Sequence, residues 1–490
     1  MRRHASASTS YSGTERAVVN KPLPTPDGPT VRAPAGSVRR SRFLLFGVVL
    51  ACYLSAPNVT NTDAYLAVPT AVSIVHSASL DIDVFESSVL KAHHGYVEIN
   101  SHHFDYFPWA NALLFIPGVA IVDVLGLLGV GSGARALVEA NRMGPLQLAT
   151  ASVVAALAAV VVAAVAYERL RGSANGRRRV SFGVGLIFAL GTSAWSTASR
   201  SLWQHGPSML ALSLALLAVL RLERGAQPRR MAAALGAAVA GAYVLRPTNA
   251  IAVAAFSVLV VLRHRRWLGT YLLGLCSVLA VFVAVNLATY RLVLPPYFSA
   301  GRISLHGEYL EAVAGNLVSP ARGLLMFSPV VVLSLIGFIL QVRGRALRPL
   351  EVLAAACVVA QLLVVSAQNE GWWAGHAFGP RFMSDVLPFL AYLSIPAVEA
   401  LLTALRTSTP TLRAKVAACG AAFAIAVSVA INAQGAYLRS ATCWNARPVN
   451  IDFQPDRVWD LGDAQAIAGY RAIATQGLRD AMLAPCRSRP

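Results

Sequence analysis

Apolar and polar positions along this chain fall into long alternating blocks. Apolar windows lie near 43–57, 109–130, 146–167, 180–198, 207–222, 231–246, 248–262, 267–289, 325–342, 350–367, 385–405 and 414–434. Most approach the roughly 20 residues that a helix needs to cross a bilayer. A soluble chain of this length scatters its apolar residues at core spacing through two or three domains. The pattern therefore predicts an all-α polytopic membrane protein, with helices over the windows and turns between them.

The polar segments between the windows set the expected topology. The N-terminal tail, 168–179, 221–230, 263–266, 343–348 and 406–415 together hold 26 of the 42 basic residues. Excess Arg and Lys marks the cytoplasmic side. Alternation holds if 109–130 does not cross; this window contains Pro117, Gly118 and Asp123, all awkward against lipid. It is read as a re-entrant or interfacial segment. The expectation is then about 11 transmembrane helices in a cell inner or plasma membrane, N-terminus cytoplasmic and C-terminus extracytoplasmic. Residues 1–42, rich in Ser, Thr, Pro and Gly, read as a disordered cytoplasmic tail. Residues 43–434 form the transmembrane domain, with a long first extracytoplasmic loop at 58–108. Residues 435–490 form an extracytoplasmic C-terminal tail. Ala64–Ser79 is mixed in polarity and reads as a helix in the interface.

Composition agrees and removes one function class. Hydrophobic residues make up 56% and charged ones only 13%, against about 25% charged in a soluble domain. A net charge of +19 would suggest nucleic acid in a soluble protein; here the charge sits in the predicted inner loops, so no nucleic-acid partner is expected. Of six cysteines, four lie in apolar windows. Cys443 and Cys486 lie in the tail, where an extracytoplasmic setting permits a disulfide.

Candidate chemistry gathers in the predicted outer loops, which hold every histidine except His4 and His264. Asp63 follows the first window at the water–lipid boundary, where a carboxylate serves as a general base or caps the next helix. Asp81 and Asp83 form a DxD pair, fit for a divalent ion or simply solvated. His93, His94, His102 and His103 are four imidazoles within eleven residues, a weak zinc pattern, and Asp105 follows them. Arg200, Trp203 and His205, then Arg246, sit at window edges, where a cation needs an internal carboxylate or a lipid phosphate. Trp372, Trp373, His376 and Arg381 cluster before Asp385, and the Trp rings can stack on a sugar or anchor at the interface.

Several phrases resemble the GT-C superfamily of membrane glycosyltransferases, particularly its protein O-mannosyltransferase and aminoarabinose transferase branches. They are Thr62-Asp63-Ala64-Tyr65 after the first span, Phe104 to Pro108, Leu202 to Pro207, Leu245 to Thr248, Ser319 to Leu324 leading to Ser328-Pro329, and Gly375 to Arg381. The resemblance implies transfer of a sugar from a polyprenyl-phosphate carrier to a glycan, lipid or protein acceptor of the cell envelope, on the outer face. It places the catalytic carboxylate at Asp63, with Asp81, Asp83 and Asp105 as supporting acids. Arg200, His205, Arg246, Arg322 and Arg381 become candidates for the lipid phosphate. Trp203, Trp372, Trp373 and His376 become candidates for sugar or prenyl contact. It requires no cofactor, although a divalent metal is compatible with the acidic residues. A large soluble C-terminal domain like that of oligosaccharyltransferase-like members is not expected from the short tail at 435–490. The rival readings are a transporter or flippase, which calls for charges at mid-membrane, and a non-catalytic partner in envelope synthesis.

Overall fold

A computed structural model describes residues 35–60, 63–85, 89, 93, 95–368 and 371–486. Among these, nineteen α-helices and one short hairpin occur in the order α1 Ala35–Leu54, α2 Ala67–Ser77, β1 Tyr96–Ile99, β2 His102–Asp105, α3 Ile116–Leu127, α4 Ala134–Glu139, α5 Gly144–Arg169, α6 Ala174–Leu190, α7 His205–Glu223, α8 Pro228–Leu245, α9 Ala250–Arg263, α10 Leu268–Tyr290, α11 Tyr309–Val318, α12 Leu324–Phe327, α13 Val332–Arg343, α14 Pro349–Ser366, α15 Leu387–Leu405, α16 Leu412–Tyr437, α17 Arg439–Cys443, α18 Gln465–Gln476 and α19 Leu478–Leu483. Every apolar window is helical over most of its length, and the chain is an all-α multi-pass membrane protein apart from the β1–β2 hairpin.

Among the described residues, seven helices are long and apolar enough to cross a membrane: Trp109–Leu127, Gly144–Arg169, His205–Glu223, Arg265–Tyr290, Pro349–Ser366, Arg381–Leu405 and Leu412–Tyr437. The eleven spans expected from sequence exceed this number, because several windows form shorter helices such as Pro247–Arg263 and Pro329–Arg343. The first helix also begins at Ala35, inside the stretch read as a disordered tail, with Arg39 lying over the Phe43 ring. The remainder of that tail, residues 1–34, lies outside the described residues.

Small residues bring the helices together. A side chain at Gly236 would strike the backbone of Tyr271, and one at Gly274 the backbone of Ala233, so α8 and α10 meet backbone to backbone. Gly337 seats α13 on Leu393 of α15 in the same way, and α5 buries Ala155, Ala156, Ala158 and Ala159. Lipid tails are as apolar as Leu, so close van der Waals packing holds such interfaces.

The arginine-rich loops gather at one end of the bundle. Arg169 pairs with buried Glu351 at 2.5 Å, Arg224 with Glu168 at 2.6 Å, and the Arg171 amide donates to Glu399. At the opposite end, Ser55 meets the Tyr437 hydroxyl at 2.7 Å, Asn58 donates to the Gly435 carbonyl, and Gln147 donates to the Ala64 carbonyl at 2.6 Å. The chain thus leaves α1 and enters α5 at the same end, with α2, α3 and α4 between them. Asp123 of α3 is instead held by His76 of α2 and by the Ala134 amide of α4, each at 2.8 Å. Helix α2 buries its first part, Ala67 to Ser73, and exposes Val75 to Ser77; it contacts both α3 and the 3-10 turn at Trp109–Phe115.

The C-terminal segment folds rather than trailing as a tail. Cys443 and Cys486 are bonded, which closes α17, α18 and α19 into a small unit on that same end.

Candidate active site

At the end opposite the arginine-rich loops, a narrow cleft is lined by Asp63, Ala64, Asp105, Phe107, Asn111, Trp203 and Gln204, among others. Asp63 sits between α1 and α2, beside the turn that opens α2. Its carboxylate accepts from the Arg381 Nη1 at 2.8 Å, and the Arg381 guanidinium lies over the Trp203 ring at 4.2 Å. Trp203 is fixed in turn by its indole N–H, which donates to the Thr60 carbonyl at 3.0 Å. Arg381 is almost fully buried, and its Nε has no partner among the described residues. A cation of this kind in low dielectric interacts strongly with any anion that reaches it.

Asp105 stands at the buried end of β2 in the same cleft and accepts from the Phe107 amide at 3.0 Å. Burial holds its carboxyl well above the ordinary carboxylate range, opposed by that amide and reinforced by the nearby Asp63 charge. Two neighbouring carboxyls are therefore differentiated by surroundings: Asp63 faces a guanidinium and Asp105 faces an apolar wall. An acid whose pKa rises on folding stabilises the fold fully below the ordinary carboxylate pKa. That contribution is lost as pH climbs through the raised value. Thermal melts in detergent are accordingly expected to show falling stability with rising pH over this window. Asp105→Asn, a stand-in for the neutral acid, is expected to flatten that part of the profile.

Deeper, His205 at the start of α7, Arg246 at the end of α8 and Asp385 just before α15 form a buried cluster. Asp385 Oδ2 lies 3.0 Å from His205 Nδ1 and 3.0 Å from Arg246 Nε, and Arg246 Nη1 lies 2.7 Å from His205 Nε2. Thr248 accepts from Arg246 as well. Arg246 thus has an internal carboxylate partner.

Arg200 and Arg322 are held by backbone carbonyls and by polar side chains. Arg200 donates to the carbonyls of Ala56 and Tyr53 and to Ser199, pinning the end of α1. Arg322 donates to Trp373, Gly375, Ala321, Gln465 and Asn445, and burial with Arg381 nearby pushes it down to about 9. Through these contacts both arginines clamp neighbouring segments of chain. Only Arg381 of the five candidate phosphate groups touches the cleft carboxylate.

The aromatic candidates divide similarly. Trp203 lines the cleft. Trp372 is buried with Trp444, Ile451 and Val458, Trp373 donates to Asp452, and His376 meets Asn450 at 2.9 Å. The loop leading to Arg381 is thus gripped by the C-terminal unit, where buried Gln465 accepts from the Gly379 amide and donates to the Ala377 carbonyl. Thr62, the first residue of one quoted phrase, lies outside the described residues.

Three of the four clustered histidines are described, and each has a partner. His93 stacks on Tyr65 with ring centroids 4.6 Å apart, and His94 lies outside the described residues. His102 and His103 turn instead to Asp83, at 2.6 and 2.8 Å. These hydrogen bonds outweigh partial burial and hold the Asp83 carboxyl below its usual range, while the bond to Asp83 raises His102.

Two contributors to the cleft region escape a reading of the sequence. Tyr297 donates to Gln204 at 3.0 Å, and Arg302 lies over the Tyr297 ring at 4.8 Å. Their only signal was an aromatic and a cation in the loop before α11, which every membrane interface displays. Tyr106, from the quoted phrase Phe104 to Pro108, packs edge-on against Tyr297.

No protein-family model and no curated protein matches the sequence. Among solved structures, the chain is similar to ArnT from Cupriavidus metallidurans bound to undecaprenyl phosphate, with a TM-score of 0.48 and 14% identity over 90% of this chain and 79% of that one. The apo state of the same protein gives a TM-score of 0.45 and 14% identity over 90% and 78%.

Proposed function

We propose that this chain is a GT-C type glycosyltransferase that moves a sugar from a polyprenyl-phosphate carrier to a cell-envelope acceptor on the outer face of the membrane. The observation that carries the reading is the Asp63–Arg381 pair under Trp203, at the end of an apolar bundle away from its arginine-rich loops. A carboxylate and a guanidinium at one mouth supply the two charges that this transfer needs. Residues quoted from separate phrases of the sequence, Asp63, Asp105, Trp203 and Arg381, meet around this cleft.

In this reading Asp63 takes the proton from an acceptor hydroxyl as its oxygen attacks the anomeric carbon. The bond from that carbon to the phosphate oxygen breaks, and polyprenyl phosphate leaves with the electron pair. Arg381, and Arg302 at the mouth, neutralise the charge that grows on the departing phosphate. Asp105, whose carboxyl burial holds well above the ordinary carboxylate range, lines the same cleft beside Asp63. The N-terminus is cytoplasmic and the C-terminal unit extracytoplasmic, which matches the positive-inside pattern and the disulfide. Charges inside the bundle cluster at helix ends and not along a central path, which favours an enzyme over a transporter.

The test is transfer of radiolabelled sugar by membranes containing the chain, from a panel of polyprenyl-phosphate sugars. Label is expected to move to lipid, glycan or protein with at least one donor. Labelled lipid that instead changes leaflet without transfer would establish a flippase.

A further inference from the structure

The first loop between α1 and α5 contains a cluster that the transfer reaction does not use. Asp81, Asp83 and His102 place possible ligand atoms within 4.8 Å of one another. They come from two stretches of chain that the backbone fastens together. Asp81 forms a bridge with Phe104, and the Ile82 amide donates to the His103 carbonyl at 2.9 Å. The His103 amide and ring both donate to Asp83 Oδ1, at 2.8 Å each. Ser79 donates to Asp81 Oδ2.

We propose that Asp81, Asp83 and His102 bind a divalent transition-metal ion, with zinc the best match to a mixed carboxylate–imidazole set. The roles follow from the contacts. His103 anchors one oxygen of Asp83 and so aims the other, Oδ2, at His102 Nδ1, 2.6 Å away. A neutral imidazole has one N–H, here on Nδ1 where an ion would bind; in the other neutral tautomer that proton sits on Nε2 and Nδ1 is free to take the ion. Ligand atoms around one zinc at about 2.0–2.2 Å lie further apart than this hydrogen bond. His102 is exposed and turns outward to open the gap. Three protein ligands leave the fourth tetrahedral position to water, and the second partner of a ligating carboxylate is the usual means of fixing it. Imidazole selects zinc-like ions over calcium or magnesium, which take oxygen ligands.

The ion would act as a staple. Strand β2 runs from His102 to Asp105, about 10 Å at the rise of an extended strand, so fixing its first residue steadies the strand that delivers Asp105 into the cleft. This site is separate from Asp63 and does not depend on the transferase reading.

The experiment is calorimetric titration of ZnCl2 into EDTA-treated full-length protein in detergent, alongside CaCl2. One equivalent of zinc per chain and no matching calcium uptake are expected. Asp83→Asn and His102→Ala are each expected to weaken zinc binding at least about tenfold, while His76→Ala, in an ordinary pair with Asp123, leaves it unchanged. Unaltered binding in Asp83→Asn, or no stoichiometric zinc in the unsubstituted protein, would overturn the proposal. If a variant does not fold, zinc X-ray absorption on the unsubstituted protein decides: imidazole nitrogen with carboxylate oxygen supports the site, and a shell of water or sulfur refutes it.

Discussion

Asp63→Asn is expected to lower sugar transfer from a polyprenyl-phosphate donor by about 10²–10⁴-fold at matched expression, the usual range for loss of a general base. Asn keeps the size of the side chain and can still accept a hydrogen bond from Arg381, so the cleft keeps its shape. What it loses is the ability to take a proton. The comparison is read as initial rates in membranes, with a melting curve for each protein. A large loss of rate with an unchanged melt supports Asp63 as the base. Equal rates would remove Asp63 from that role and shift attention to Asp105, which shares the cleft. Arg381→Ala provides the complementary control, since it removes the charge opposite the leaving phosphate while leaving Asp63 in place. Its deficit is expected to persist at saturating acceptor.

Much of this molecule was legible because lipid makes a simple demand. Backbone polar groups in hydrocarbon must be satisfied within the helix, so a long apolar window has few alternatives, and every such window is helical. Arginine placement was equally readable, as the pairs of Arg169 with Glu351 and Arg224 with Glu168 join loops assigned to one side by composition. The number of crossings was less so, because Pro, Gly and small residues at window edges shorten several helices in ways a hydropathy window averages over.

At the site, Asp63 and Arg381 could each be named from local context, yet nothing in the sequence joins two residues 318 positions apart. Arginine gave the least information. Arg200, Arg322 and Arg381 look alike in sequence, each polar at a window edge, but two of them spend their donors on carbonyls presented by loops that tertiary packing creates. The Gln465 contacts to the loop before Arg381 were invisible for the same reason. A neutral side chain in a polar tail carries no sign that it will be buried against backbone. Asp385 was noticed only as part of a polar cluster, although its charge is what lets Arg246 be buried.

That last dependence has the second large expected effect. Arg246→Leu or Asp385→Leu alone is expected to destabilise the protein by about 3–5 kcal/mol, because each leaves one buried charge without its partner. Asp385→Leu is the more severe for the site, since it leaves Arg246 beside His205 with no anion and repels Arg381 from the cleft. The double variant Arg246→Leu/Asp385→Leu removes both charges together, and replacing a buried pair by apolar groups is often neutral or stabilising. Its melting temperature in detergent is therefore expected to recover most of what either single change loses. Full additivity of the two losses would show that the residues do not act as a pair. Recovery of the melt without recovery of transfer would carry a further meaning: the cluster would then position Arg381 and the cleft, and not merely hold α7, α8 and α15 together.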